Sequence, residues 1–114
     1  MIEITNIQEL RNIVFNKDFS NHIIILNFFA SWCTSCTIIT PELEKLENAY
    51  ANRVLVIKID VDRSRDIAQA FDIQSIPCGI FYYRNKMFNE LTLVAKPPGN
   101  YYQNVNVLLS QYSV

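Results

Sequence analysis

Two kinds of hydrophobic pattern alternate along this chain. Residues 23–29 and residues 54–59 are nearly continuous apolar runs, which is typical of strands that are buried on both faces of a sheet. Around these runs, apolar residues recur at helical spacing, first over residues 7–14 after the capping candidates Thr5 and Asn6. The pattern therefore predicts strands that alternate with helices.

The middle of the chain predicts two further helices. One begins near Cys33 and is kinked by Pro41. Its apolar side chains share one face, which comprises Ile38, Ile39, Leu43, Leu46 and Tyr50. The other helix is short and is expected to be capped by Ser64, with Ile67 and Phe71 among its apolar positions.

The last third of the chain predicts a hairpin and a final helix. Residues 78–83 and 87–94 are two strand-like runs joined by a turn at residues 84–86. The sequence Pro-Pro-Gly at residues 97–99 interrupts regular structure before the helix begins. The expected core face of that helix has residues at helical spacing: Tyr101 or Tyr102, Val105, Leu108, Leu109 and Tyr112.

Composition narrows the class of protein. A chain of 114 residues that is 50% hydrophobic and 12% aromatic predicts one domain over residues 1–114. The net charge of −1 with mixed signs gives no basic stripe, so we expect no nucleic-acid binding. No apolar stretch reaches the roughly 20 residues of a spanning helix, and the first residues do not resemble a signal peptide. A cytoplasmic protein with no membrane role is expected.

The feature that carries chemistry is a pair of thiols, Cys33 and Cys36, directly after the first apolar run. Residues i and i+3 of a first helical turn lie about 5–6 Å apart, which is close to the separation that a disulfide requires. Cys33 at a helix N-terminus would be exposed and favoured as a thiolate, whereas Cys36 would face inward. The pair therefore indicates a redox-active disulfide in which Cys33 is the nucleophile and Cys36 the resolving thiol.

A zinc half-site is the competing interpretation of this pair. Zinc prefers four ligands, and the rest of the chain offers only Cys78 and His22 among the usual soft donors. A metal is therefore not expected. Three cysteines, two of them in CxxC, fit a catalytic dithiol in a reducing compartment better than a structural disulfide framework.

Several separate sites together resemble the thioredoxin family. Trp32 precedes the CxxC pair, Pro41 follows Cys36 by five residues, Lys58 lies in the second apolar run, and Ile76–Pro77 resembles the family's cis-proline loop. The resemblance extends over nearly the whole chain. It implies an α/β fold of the thioredoxin type, in which a central mixed β-sheet is flanked by helices on both faces in the order β-α-β-α-β-α-β-β-α.

The resemblance also implies a function, that of a protein disulfide reductase acting on client proteins through Cys33 and Cys36. It implies no cofactor bound to the chain, because electrons would come from NADPH through a flavoenzyme of the thioredoxin-reductase type. A monomer is expected. Two alternatives are a redox-inactive thioredoxin-like module that binds partners, and a metal or iron–sulfur protein that uses exposed thiolates, perhaps between two chains.

The resemblance assigns roles to the residues around the thiols. Trp32 would shield the nucleophile and offer an aromatic face to a partner peptide. Pro77 would follow a cis peptide bond beside which a client strand can pair, and Ile76 would lie next to the CxxC loop. Lys58 would lie near Cys36, although a lone lysine in an apolar strand is usually a snorkelling surface residue.

Departures from the family pattern are concentrated near the thiols. Thr34 and Ser35 replace the usual Gly-Pro, which changes the balance between dithiol and disulfide. Asn27 stands where the family has a buried aspartate that helps deprotonate the second cysteine, and Thr37 replaces the customary basic residue. Cys78 follows the proline, and we interpret it as a buried small hydrophobe rather than a third redox thiol, because strand alternation turns it away from the CxxC loop.

Overall fold

A computed structural model describes the backbone of residues 1–112 and the side chains through Gln111. The strands are β1 (Ile2–Ile4), β2 (Ile23–Phe29), β3 (Val54–Asp60), β4 (Cys78–Tyr83), β5 (Lys86–Met87) and β6 (Leu93–Val94). The α-helices are α1 (Ile7–Val14), α2 (Thr34–Ala49), α3 (Arg65–Ala70) and α4 (Pro98–Tyr112). Single 3₁₀ turns cover Lys17–Phe19 and Asn89–Leu91.

The strands form one mixed sheet. Its order is β1-β3-β2-β4-β5, and β6 also pairs with β4. The neighbours β1, β3 and β2 run parallel, whereas β4 runs antiparallel to β2, β5 and β6. The two predicted apolar runs are β2 and β3 at the centre of the sheet, which confirms the expected mixed sheet.

Each face of the sheet has its own hydrophobic core. Ile23 and Ile25 of β2 pack with residues of α2 and α4, whereas Ile24, Leu26 and Phe28 pack with residues of α1 and α3. Successive side chains of a strand point to opposite faces, so a strand covered on both faces must be apolar at nearly every position. The continuous run in β2 follows from this double coverage.

The prediction of one continuous strand over residues 87–94 is wrong. Only Lys86–Met87 and Leu93–Val94 pair with β4, and the 3₁₀ turn between them leaves the sheet. Phe88 turns its side chain into the core below α4, and the Asn104 amide of α4 donates a hydrogen bond of 2.7 Å to the Leu91 carbonyl. These contacts hold the segment against α4 instead of the strand edge.

The turn before β5 is also shorter than predicted. Arg84 and Asn85 form it with φ of 54° and 63°, and Lys86 already pairs with Tyr83. Two left-handed residues are what a tight hairpin with the right-handed strand twist requires.

Three predictions about helices need correction. Ser64 stands at the N-cap of α3, but its hydroxyl donates to the Ile4 carbonyl (3.2 Å) and makes no capping bond, so it ties α3 to β1. Ile38 is 63% exposed, because the buried stripe of α2 runs through Cys36, Ile39, Leu43 and Leu46. Pro98 does not interrupt the chain before α4 but is its first residue, a position where a missing N–H costs nothing.

The core face of α4 matches the prediction at Tyr101, Val105 and Leu108, which are fully buried. Tyr102 and Leu109 are partly buried beside them. The predicted place of the Tyr112 side chain in this core lies outside the described residues.

Candidate active site: a disulfide at the start of α2

Cys33 and Cys36 form a disulfide with a Cα–Cα distance of 5.3 Å. Cys33 is the N-cap of α2, and the backbone N–H of Cys36 donates to its Sγ at 3.2 Å. A donor of this kind and the positive end of the helix dipole both stabilise a thiolate on Cys33 once the disulfide is reduced. The local structure thus favours Cys33 as the attacking sulfur.

Both cysteines are buried, Cys36 as the sequence predicts and Cys33 against the prediction. Cys33 is 7% exposed and Cys36 2% exposed, because Phe29, Val61 and Ile76 pack against them. The predicted exposure of Cys33 is therefore wrong in extent, although its exposed fraction exceeds that of Cys36.

Trp32 is the most exposed aromatic residue beside the disulfide, with 67% of its surface accessible. Its indole Nε1 donates a hydrogen bond of 2.8 Å to the Asp62 carboxylate. Asp62, which the sequence analysis missed, lies two residues after the end of β3. Since β2 and β3 are parallel, the loops at their carboxyl ends meet at one edge of the sheet, and this rule could have placed an acid after β3 beside Trp32.

The Ile76–Pro77 peptide bond is cis, as the resemblance predicts. Ile76 packs against the apolar cluster that contains both cysteines. The Pro77 carbonyl accepts a hydrogen bond of 2.9 Å from the Ala95 N–H, which fixes the proline loop beside β6. Ala95 has φ of 54°, a left-handed conformation that favours glycine.

Lys58 combines features of both interpretations, a lysine near Cys36 and a lysine that reaches the surface. Its side chain is 26% exposed, and its Nζ is 3.9 Å from a Glu3 oxygen and 5.1 Å from the centre of the Phe29 ring. It also lines a cavity of about 290 Å³ together with Cys36 and Thr40. The lysine is thus half-buried on the Cys36 side of the sheet, held there by a glutamate that the sequence analysis did not single out.

Asn27 is 1% exposed on β2, between Lys58 on one neighbouring strand and Gly79 on the other. Within the described part of the chain, neither its amide oxygen nor its amide nitrogen has a hydrogen-bond partner. Leaving one buried polar atom unpaired costs about 1–3 kcal/mol. An apolar side chain at this position would avoid that cost.

Hydroxyl groups surround the first turns of α2. The Ser35 Oγ lies 3.9 Å from the Cys33 sulfur, and the Thr37 hydroxyl donates to the Thr34 carbonyl. The Thr40 hydroxyl donates to the Cys36 carbonyl at 2.9 Å. These local bonds tie Thr34, Ser35 and Thr37 to the helix start and place no cation there.

Cys78 is a free thiol that is 4% exposed. It packs with Leu26 and Ile80 in the core below α1 and α3, away from the cluster that holds the disulfide. Burial raises the pKa of the Cys78 thiol. The geometry agrees with its interpretation as a buried small hydrophobe.

Among the described residues, no three His, Cys, Asp or Glu side chains are placed to hold one metal ion. Within the same residues, no helix has the length and apolarity needed to cross a bilayer.

The fold and site together define a class: a mixed sheet whose central parallel strand leads into a CxxC disulfide at a helix N-terminus, opposite a cis-proline loop. The family model described as Thioredoxin matches residues 3–97. The chain belongs to the thioredoxin family.

Individual relatives agree with this assignment. The chain is similar to thioredoxin 2 of Plasmodium falciparum, with 36% identity over 75 residues that cover 66% of this chain and 47% of that protein. It is similar to thioredoxin of Coprinus comatus, with 38% identity over 79 residues that cover 68% and 74%. The chain thus spans about half the length of the Plasmodium relative.

A solved structure extends the likeness along the chain. The oxidised form of mitochondrial thioredoxin 3 from Saccharomyces cerevisiae superposes with a TM-score of 0.81, at 26% identity, over 94% of each chain. The expected thioredoxin fold is confirmed.

Proposed function

We propose that this chain is a protein-disulfide oxidoreductase that reduces client disulfides by dithiol–disulfide exchange. The observation that supports it most directly is the Cys33–Cys36 disulfide at the N-terminus of α2, with the Cys36 N–H on the Cys33 sulfur. Only one covalent bond has to open and close between the two redox forms, and the helix start stabilises the thiolate that begins the reaction.

The reaction consists of two exchanges. In the reduced protein the Cys33 thiolate attacks one client sulfur, so that a mixed disulfide forms and the first client thiolate leaves. Cys36 then loses its proton and attacks the Cys33 sulfur. The bond between Cys33 and the client breaks, the second client thiolate leaves, and two electrons have passed from the dithiol to the client.

The surface around the disulfide supports a protein client. Trp32, Ile38 and Val94 are large apolar residues that are 67%, 63% and 44% exposed. Trp32 and Ile38 flank the cysteines in sequence, and Val94 pairs with Cys78 beside the cis-proline. Apolar side chains near a backbone segment that is able to pair with a strand suit an extended peptide around a cystine.

Other parts of the assignment stay predictions that follow from the family. Electrons would return from NADPH through a flavoenzyme of the thioredoxin-reductase type, and the chain itself would bind no cofactor. Residues 1–114 would act as one domain and as a monomer. The cysteine usage favours a reducing compartment such as the cytoplasm.

Dithiothreitol-driven reduction of insulin tests the activity. We expect turnover by the wild type, none by Cys33→Ser, and wild-type turnover by Cys78→Ser. Redox titration against glutathione, monitored by Trp32 fluorescence, would measure the reduction potential of the Cys33–Cys36 pair. A folded wild-type protein that opens its disulfide but reduces no insulin would indicate a partner-binding module instead, and bound metal or colour in the purified protein would indicate the metal alternative.

A further inference from the structure

A cavity of about 520 Å³ lies at the edge of the sheet, beside the segment that leaves the sheet between β5 and β6. Asn89 and Thr92, at the two ends of that segment, line it on one side, and the end of α3 with the loop that follows lines it on another. Apolar residues of three strands also line the cavity, namely Ile80 of β4, Met87 of β5 and Val94 of β6.

The cavity is continuous with the cis-proline loop. Ser75 and Cys78 lie on either side of the Ile76–Pro77 bond, and both line the cavity. The Ile76 side chain packs against the cluster that contains the disulfide and also against the cluster that contains Cys78 and Ile80. One isoleucine side chain therefore separates the two clusters.

A client chain bonded to Cys33 can span this separation. An extended chain advances about 3.3 Å per residue, so a residue two to four positions from the client cystine reaches past the Ile76 side chain. Val94, which belongs to the exposed apolar surface beside the cis-proline, lines the cavity as well. The cavity thus lies next to the surface on which a client would rest.

The charge of the cavity is negative. Asp72 is the one charged residue among those that line it, and the others are apolar or carry uncharged amide and hydroxyl groups. The Asp72 carboxylate accepts a hydrogen bond of 3.2 Å from the Gln74 amide. In the part of the chain that the structure describes, no cation forms an ion pair with it, although Arg65 lines a second cavity on its other side.

This combination suits a long basic side chain. The methylene stem of lysine or arginine packs on apolar atoms, while the charged end stays at the surface. Here Ile80 and Met87 offer apolar atoms inside the cavity, and the exposed residue Asp72 offers a carboxylate. An acidic client side chain at the same place would set two carboxylates against each other, which is unfavourable.

We propose that this cavity is a specificity subsite for client proteins and takes a lysine or arginine two to four residues from the client cystine. The stem of that side chain contacts Ile80 and Met87, and its cation pairs with Asp72. The inference rests on the proposed oxidoreductase function and names a class of client, disulfide proteins with a basic residue near the cystine. The two thiol exchanges are unchanged, because the subsite acts on client binding alone.

The backbone at Asp72 permits a clean substitution. Its φ is 51°, a left-handed conformation that asparagine adopts more readily than most residues. Asp72→Asn also keeps an oxygen that can accept from Gln74, so the change removes the charge and little else. Glu44→Gln, on the exposed surface of α2, removes one charge elsewhere and is the matched control.

Rates with defined peptides test the subsite. Each peptide has one internal disulfide and carries lysine, norleucine or glutamate at the second, third or fourth residue to either side of a cysteine. Oxidation of the reduced protein by each peptide, followed by Trp32 fluorescence, gives a second-order rate constant. At one or more of these positions we expect lysine to be fastest and glutamate slowest.

Asp72→Asn should slow the lysine peptide about two- to fivefold, the range expected for an exposed ion pair. The norleucine peptide, which keeps the stem without the cation, should react at the wild-type rate. The advantage of lysine over norleucine should shrink in 1 M salt, where the Debye length is about 3 Å. Glu44→Gln should leave the order of the peptides unchanged.

A second measurement locates the client side chain. In Cys36→Ser, a peptide activated as an aromatic mixed disulfide is coupled to Cys33, which needs no turnover. The NMR signal of the Met87 methyl should shift with the lysine peptide and much less with the glutamate peptide. Met1, the other methionine, is bonded through its amino group to Glu47 and should show no such difference.

Two results would overturn the subsite. One is equal rates for lysine and glutamate peptides at every position, or a preference for lysine that survives in Asp72→Asn. The other is a Met87 methyl that does not move when the lysine peptide is coupled. Failure of the proposed function differs from both, since a wild type that reduces no peptide would contradict the oxidoreductase assignment while the Met87 signal of the coupled protein still decides whether the cavity binds the side chain.

Discussion

The two faces of the sheet differ in whether their buried polar groups have hydrogen-bond partners. On the face of the sheet that α1 and α3 cover, the buried Ser64 hydroxyl donates a hydrogen bond to the Ile4 carbonyl. Cys78 lies among apolar side chains on the same face. On the α2/α4 side, Asn27 and Tyr101 are buried without partners, and Lys58 lies next to Asn27. Within the described residues the α1/α3 face has one comparable group, His22 Nδ1, at the far end of β2.

This difference indicates where stability is given up for chemistry. A core that only had to be stable would fill the Asn27 position with an apolar side chain, as in Ile23 and Ile25 on the same face. Instead, the polar residue Asn27 lies on the face covered by α2, the helix that begins at the dithiol. The comparison predicts that substitutions of buried polar groups on the α2/α4 face change reaction rates, and that those of buried groups on the α1/α3 face change only stability.

The largest contrast is expected among the three cysteines. Cys36→Ser should abolish turnover and accumulate mixed disulfides with client proteins, because Cys33 can still attack but nothing resolves the product. Cys33→Ser should trap few clients, since Cys36 is the more deeply buried sulfur. Non-reducing gels of both variants after incubation with oxidised clients measure this, and equal trapping by the two would reverse the assigned roles.

Asn27→Asp should change both the resolving rate and stability. A carboxylate at this site would accept the Cys36 proton within the protein, so the resolving step should become faster at neutral pH. Stopped-flow mixing of the reduced protein with an aromatic disulfide measures this step as the release of the second coloured thiolate. Burial would raise the folded pKa of this carboxyl above its unfolded value near 3.9. The variant should therefore lose stability as pH rises above the unfolded pKa, increasingly until the folded pKa is reached.

Denaturant unfolding of Asn27→Asp and wild type between acidic and alkaline pH checks that sign. Asn12→Asp, on the exposed surface of α1, is the control and should show little such trend. A variant that resolves more slowly than wild type would mean that the uncharged site is better suited to this reaction than a carboxylate.

Cys78→Ser tests the opposite face. A hydroxyl at this buried position should cost about 1–3 kcal/mol if it finds no partner, while turnover per folded molecule stays at the wild-type level. Cys78→Ala has no hydroxyl, so its stability relative to Cys78→Ser separates the cost of burying the hydroxyl from the cost of lost side-chain volume. A rate that collapses in folded protein would make Cys78 a redox participant and the two-thiol mechanism incomplete.

The sequence predicted those parts of the site that follow from periodicity and spacing. The two apolar runs placed β2 and β3, and the CxxC pair after β2 placed the disulfide at the start of α2. It did not predict the Trp32 to Asp62 bond or the contact of Tyr101 with Gly79, because these join residues far apart in the chain through register and packing. Nor could periodicity show that residues 88–91 leave the sheet, since their apolar side chains suit either a strand edge or the core below α4.

The smallest predicted effect is at the rim of the site. Ala95 adopts φ of 54° and donates its N–H to the Pro77 carbonyl, a conformation that costs an L residue roughly 1–2 kcal/mol and glycine almost nothing. Ala95→Gly should therefore raise the free energy of unfolding by up to about 1 kcal/mol after the added entropy of the unfolded chain is subtracted. The matched control, Ala68→Gly inside α3, should lower it by a similar amount. Equal destabilisation by both substitutions in urea unfolding would mean that Ala95 is not strained. Unchanged insulin reduction in a stabilised Ala95→Gly would show that this conformation serves packing at the proline loop and not the chemistry beneath it.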